Sequence, residues 1–321
     1  MAGLRAWMGL AVVVGLAVSA QAGPRSAPRH PTPRTAYGQP DLQGYWTNVA
    51  QTPLERPAGV PLSFPTRAEG DAYGKRAMAT AAATDNEFGQ QASEWTPVHP
   101  LARIDGRVRT SWIVSPADGR IPWRPEARAR FQALGKAALS LADGPEQRTP
   151  SDRCLMGGGS TTGPPILNHH SGSSYQIIQT RDAVAIRTEM NHDMRIIRLG
   201  ARHLPAAMRP WMGDSIGHWE GATLVVETTN FNPQETDRLK YLISVDARVT
   251  ERFTRISATE LRYTFQIDDP ATYTQPWRGE MPLHPEKSPI WEYACHEGNY
   301  AMAGMLAGAR RDEADAAAAS H

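Results

Sequence analysis

Glu260-Leu261-Arg262-Tyr263-Thr264-Phe265-Gln266-Ile267-Asp268 alternates without interruption, with Leu261, Tyr263, Phe265 and Ile267 on one side and polar or charged residues on the other. Successive side chains of a strand point to opposite faces, so this pattern predicts a strand with one buried and one wet face. Such strands belong to antiparallel sheets. The preceding stretch, Ala247–Ile256, reads as its hairpin partner across Ser257-Ala258-Thr259. Further upstream, Tyr175–Thr180, Ala183–Met190 and Met194–Leu199 are apolar-biased runs broken by Arg181-Asp182 and Asn191-His192-Asp193. His218-Trp219 and Ala222–Asn230 flank Glu220-Gly221, a tight-turn signal. Downstream, Thr274–Leu283 and Ile290–His296 complete at least eight expected strands. Short turns between successive antiparallel strands predict a mostly β chain folded as an up-and-down meander closed into a barrel, since closure removes exposed edges.

The N-terminal half is irregular and partly helical by the same reading. Thr66-Arg67-Ala68-Glu69 is a capping box that opens a helix over residues 67–83. Pro125 stands at a first helical position, and Glu126–Ala142 continues from it until Asp143-Gly144-Pro145. Loops between them carry Trp95, Trp112 and Trp123, and a short helix is expected near Ala301–Arg310.

Arg5, the apolar run Met8–Val18 and Ala20-Gln21-Ala22 form a basic start, a hydrophobic region and a small-residue cleavage site. The chain therefore divides into a signal peptide (1–22), a Pro/Arg/Ser-rich disordered leader (23–40), an N-terminal wrap (41–150), the barrel (151–300), and a C-terminal helix and tail (301–321). The expected location is periplasmic or secreted. After cleavage no apolar run is long enough to span a membrane. A formal net charge of +1 gives no reason to expect a nucleic-acid partner.

Cys154 and Cys295 are the only cysteines. In an oxidising compartment a lone pair reads as a disulfide. Cys295 as a nucleophile beside His296 is the alternative, but adjacent strand residues face opposite ways. There is no C-x-x-C spacing, no Gly-Lys-Ser/Thr after Gly157-Gly158-Gly159 and no G-x-S-x-G. The reading thus expects no metal and no cofactor; a zinc site from His192, His218 and His296 lacks ligand spacing.

Four residues are candidates for acid–base chemistry: His192, Asp193, Glu251 and His296. His192-Asp193 sits in a turn between Glu189 and Arg195, where an imidazolium is favoured; the same residues also suit a turn that bonds its own backbone. Glu251 shares a strand face with Val249 and Phe253. A carboxylate there needs an Arg partner such as Arg187 or Arg195, a place on a cavity, or a bulge that turns it outward. Glu227 has the same ambiguity, sharing a face with Val225 and Phe231. Trp46, Trp219, Trp291, Arg195 and His218 are candidate ligand contacts, the tryptophans as core or as a flat wall for a small ring. His169-His170 falls in a Gly/Ser/Thr-rich loop (157–174).

Two resemblances add to this. Gly44-Tyr45-Trp46 resembles the G-x-W that opens lipocalin-type barrels, which implies a cavity for one small ligand. Several longer stretches are Pro40–Trp46, Thr52–Pro57, Glu189–Arg195, Gly213–Ser215, Trp219–Leu224, Glu251–Arg255 and Tyr293–Tyr300. In combination they resemble a widespread family of exported bacterial hypothetical proteins. That resemblance implies an exported chain of one family and supplies no catalytic residue. The expectation is a barrel that binds a small apolar or aromatic ligand; the alternatives are an acid–base lyase, isomerase or hydrolase using the same cavity, and a structural envelope protein.

Overall fold

A computed structural model of the chain describes residues 32–85, 99–137, 142–156, 163–169, 173–235, 237–238 and 240–319. The expected signal segment, Trp95, Gly157–Gly159 and His170 lie outside them. The strands are β1 (Gly44–Thr47), β2 (Arg103–Ile104), β3 (Arg107–Val108), β4 (Ile113–Ser115), β5 (Ser174–Gln179), β6 (Ala183–Thr188) and β7 (Met194–Leu199). They continue with β8 (Asp214–Glu220), β9 (Thr223–Thr229), β10 (Asp237–Arg238), β11 (Tyr241–Leu242), β12 (Arg248–Ser257), β13 (Glu260–Asp268) and β14 (Trp277–Pro285). The helices are α1 (Arg67–Asp85), α2 (Pro125–Ala137) and α3 (Tyr300–Ala319).

Nine strands close into a barrel in the order β1-β5-β6-β7-β8-β9-β12-β13-β14, and β1 also pairs with β14 to shut the ring. β4 pairs with the first part of β14, on the edge that β1 takes at the strand's end. The meander expected from the sequence is present, with one correction: β7 and β8 run parallel, registered at Arg198↔Ile216 and Leu199↔Gly217. A parallel pair needs a crossover, and residues 200–213 supply it. A second correction concerns Ile290–His296, which forms no strand. That stretch follows β14 after the ring has closed on β1, so no barrel edge is left for it to join. The capping box holds, with Glu69 and Thr66 bonded reciprocally.

Leu261, Tyr263, Phe265 and Ile267 all face the lumen and are buried. Their neighbours there are Val249, Glu251 and Phe253 of β12 and Trp277, Gly279, Met281 and Leu283 of β14. Gly279 leaves room for an aromatic ring: a Cβ at that position would lie 2.3 Å from Phe265 Cζ. Phe265 in turn meets Trp277 edge-on, with ring centroids 5.5 Å apart. The described lumen is thus filled by interlocking side chains, as in other small barrels.

The two ends differ. At one end the hairpins are tight, with Glu220↔Thr223 and Ser257↔Glu260 as the last pairs. The other end is plugged by residues 163–169 and by the segment carrying β10 and β11. There Tyr241 donates to the Pro164 carbonyl (3.5 Å) and Trp112 Nε1–H to Asn168 Oδ1 (2.6 Å). A strap after β14 joins the ends. The Glu286 N–H meets the Tyr45 carbonyl, and the Trp291 N–H meets Glu189 Oε2 at 3.1 Å near the plug. Cys154 and Cys295 are disulfide-bonded, with Cα atoms 5.7 Å apart, which anchors the strap.

Candidate functional site

A polar layer lies just inside the plugged end. Arg195 is the second residue of β7, and its register with Ile186 and Ile177 turns it into the lumen. From there it crosses to Glu251 of β12: Nη1 donates to Oε2 at 2.5 Å and Nη2 to Oε1 at 3.0 Å. Tyr263 Oη donates to Glu251 Oε1 at 2.7 Å and accepts the Ile166 N–H at 2.8 Å. Glu251 and Tyr263 are 0% exposed and Arg195 is 3% exposed. This is the bidentate, charge-assisted geometry that a buried pair needs.

Burial and then the adjacent Glu251 charge hold the Tyr263 hydroxyl well above its ordinary pKa, so it stays a donor. For Arg195, burial works against the charge, but Glu251 outweighs it and the guanidinium is held more firmly protonated than usual. Tyr175, from β5, donates to Asn48 Oδ1 at 3.3 Å, and burial raises its pKa. Two N–H groups in or beside this layer have no acceptor among the described residues: Arg195 Nε and Asn191 Nδ2. Asn191 is itself 3% exposed and sits in the 3-10 turn between β6 and β7 with φ 56. An Asn tolerates this left-handed backbone better than most residues.

The expected site residues separate into groups. Arg195 and Glu251 come together, the structural pairing weighed for Glu251. Asp193 is half-buried at the rim, where its carbonyl accepts the Thr188 N–H. The His192 side chain lies outside the described residues. Trp291 is 70% exposed, and only its backbone is bonded to the rim through Glu189. His296 is exposed on the strap, next to Cys295. Trp46 is buried against the Arg255 guanidinium, with Nε1–H on the Leu42 carbonyl. Trp219 is half-buried near the tight-turn end, and His218 is exposed there, 3.2 Å from Glu220.

Two clefts, of about 480 and 360 Å³, open on the outside instead of in the lumen. One is lined by Trp123, Pro122 and Arg128, the other by Asp152, Glu292 and Cys295. Sequence reasoning missed Asn191, which reads as an ordinary turn former, and the chemical part played by Tyr263, which reads as core. It also passed over His203, set in a Pro-containing stretch without periodicity. No group of three or more potential metal ligands is found among the described residues, and no helix there is long and apolar enough to cross a membrane. The chain matches no protein-family model and no curated protein.

Proposed function

We propose that this chain is an exported, periplasmic or secreted binding protein that holds a small, largely apolar molecule at the plugged end of its barrel. The observation that carries this reading is the pair of buried N–H groups, Arg195 Nε and Asn191 Nδ2, that have no acceptor among the described residues. Buried donors are costly when left unmade, and a polar layer otherwise so fully bonded is a natural place for a ligand oxygen. Arg195 is already neutralised by Glu251. The matching group on the ligand is therefore a neutral acceptor, such as a carbonyl, ether or hydroxyl, not a carboxylate. Tyr175, Tyr241 and Tyr263 lie close enough to Arg195 to feel its charge, and since their rings fill this end of the lumen, a ligand must displace part of that packing to enter. Binding is favoured over acid–base catalysis because both Glu251 oxygens are occupied, by Arg195 and Tyr263. Export rests on the N-terminal signal pattern, with which the disulfide is compatible.

The test is native mass spectrometry of protein purified from its own cell envelope, beside Asn191→Ala. The wild-type protein should retain a small molecule and the variant should lose it. The melting temperature of ligand-free Asn191→Ala should fall only modestly, because the amide N–H has no partner among the described residues to lose and the cost is that of an Ala on a left-handed backbone. Wild-type protein that carries nothing, or a variant that retains the molecule as well as wild type, overturns the reading.

A further inference from the structure

On the outer face, two carboxylates stand side by side between two arginines across four neighbouring strands. Arg198 of β7 donates to Asp214 Oδ1 of β8 at 2.7 Å. His203, from the crossover 200–213, places Nδ1 2.8 Å from Asp214 Oδ2 and Nε2 3.1 Å from Glu227 Oε1 of β9. Arg248 of β12 donates to Glu227 Oε2 at 2.5 Å. Ionised carboxylates only accept hydrogen bonds. Both His203 contacts are hydrogen bonds together only when both ring nitrogens carry protons. A neutral imidazole has one N–H and must turn a lone pair toward one of the two carboxylates.

The place matters as much as the chemistry. β7 and β8 are joined at only two registered pairs, Arg198↔Ile216 and Leu199↔Gly217. The crossover that links them is fastened to β8 through the Gly200 N–H on the Gly217 carbonyl, the Leu204 N–H on Asp214 Oδ2, at 2.8 Å, and His203, while its later part is held elsewhere, by Arg209 on the Phe231 and Val245 carbonyls and by the Met212 N–H on Glu235. We propose that His203 is a proton-operated latch: protonated, it pins the crossover 200–213 and the short parallel junction to β8 and β9; neutral, it releases one carboxylate and loosens both. The groups facing it are Asp214 from β8 and Glu227 from β9. Arg198 and Arg248 stand behind them, and Arg202, its neighbour in the crossover, is exposed. Burial opposes ionisation of Asp214, but the Leu204 N–H, His203 and Arg198 outweigh it and hold its pKa below the usual carboxylate range. Glu227 is held down likewise, with Arg248 and His203 overcoming its burial. Both carboxylates therefore keep their charge while the imidazole loses its own. The latch does not depend on what the lumen binds.

Amide hydrogen exchange on the full chain, corrected for intrinsic rates, tests it across the range in which histidines titrate, roughly pH 5 to 8. Opening of residues 200–213 and of Arg198–Leu199 should rise about tenfold from the acid to the alkaline end, the order expected for one lost charge-assisted bond. In Glu227→Gln the amide N–H can donate to a neutral Nε2. Opening there should stay low and independent of pH. The imidazole ¹⁵N shifts of wild-type protein should show two protonated nitrogens at the acid end. A crossover whose exchange ignores pH, a Glu227→Gln variant that keeps the wild-type pH dependence, or a neutral His203 throughout with the crossover closed overturns the proposal. The nitrogen shifts decide the matter even if the variant does not fold.

Discussion

Arg195 and Arg198 lie three residues apart on β7, yet their ion pairs differ in kind. Arg195 points into the lumen and meets Glu251 where both are removed from water. Arg198 points outward, its own side chain 36% exposed, and joins a row of charges that solvent reaches everywhere except at its partner Asp214, which is buried. The inner pair has given up hydration and survives because every Glu251 oxygen is bonded. The outer row gives up less and gains less, since water and salt screen it. One strand thus carries two electrostatic designs on its two faces: one fixes a geometry, the other can respond to conditions.

The contrast breaks most visibly at Glu251. Glu251→Leu should cost about 3–5 kcal/mol in denaturant unfolding, because it leaves a buried guanidinium without its counter-charge. Adding Arg195→Met to it should recover most of that loss. Added salt should change neither result. If the single variant costs less than about 1 kcal/mol, the inner pair is solvated and the contrast fails. Tyr263→Phe comes next. It strips one donor from Glu251 and the acceptor from the Ile166 N–H, so about 1–3 kcal/mol is expected by the same measurement.

Acid sharpens the comparison from the other side. Asp214 and Glu227 have folded-state pKa values below their ordinary ones of 3.8 and 4.5. Their contribution is complete above the unfolded-state pKa and is lost as pH falls through the lower, folded-state value. Wild-type stability should therefore fall at acid pH. Asp214→Asn should flatten part of that slope at a cost of about 1 kcal/mol near neutrality. A slope identical to wild type would remove Asp214 from the account. Smallest of all, Arg248→Ala should cost at most about 0.5 kcal/mol, and the difference should vanish in high salt.

How much of this was legible depends on whether a residue sits in a periodic stretch. Leu261 to Ile267 declare their face by alternation, and the same rule exposed Glu251 as a carboxylate among core residues. Arg195 was legible as one of two candidate partners for it. The disulfide followed from having only two cysteines. The parallel step from β7 to β8 was not legible, because strand direction there is set by where the crossover packs, and residues 200–213 carry neither a helical nor a strand period. His203 was hidden for the same reason: its importance comes from Asp214 and Glu227, which approach it only when β8 and β9 pair. Trp46 and Trp219 are aromatic enough to suggest a ligand wall, yet composition does not say at which end of a barrel a ring will lie.

Closure of the ring has a consequence for how the chain is made. Trp46 of β1 pairs with both Tyr175 of β5 and Pro285 of β14, so the first barrel strand waits for the last. Whether the chain folds as it leaves the ribosome or after export, β1 lacks its second neighbour until β14 is in place. Through that interval β1 offers an unpaired edge, the kind of surface that recruits other chains. A product truncated before Trp277 would never satisfy that edge. Such fragments should aggregate strand to strand, whereas the full-length chain, once its last strand arrives, has closed the ring.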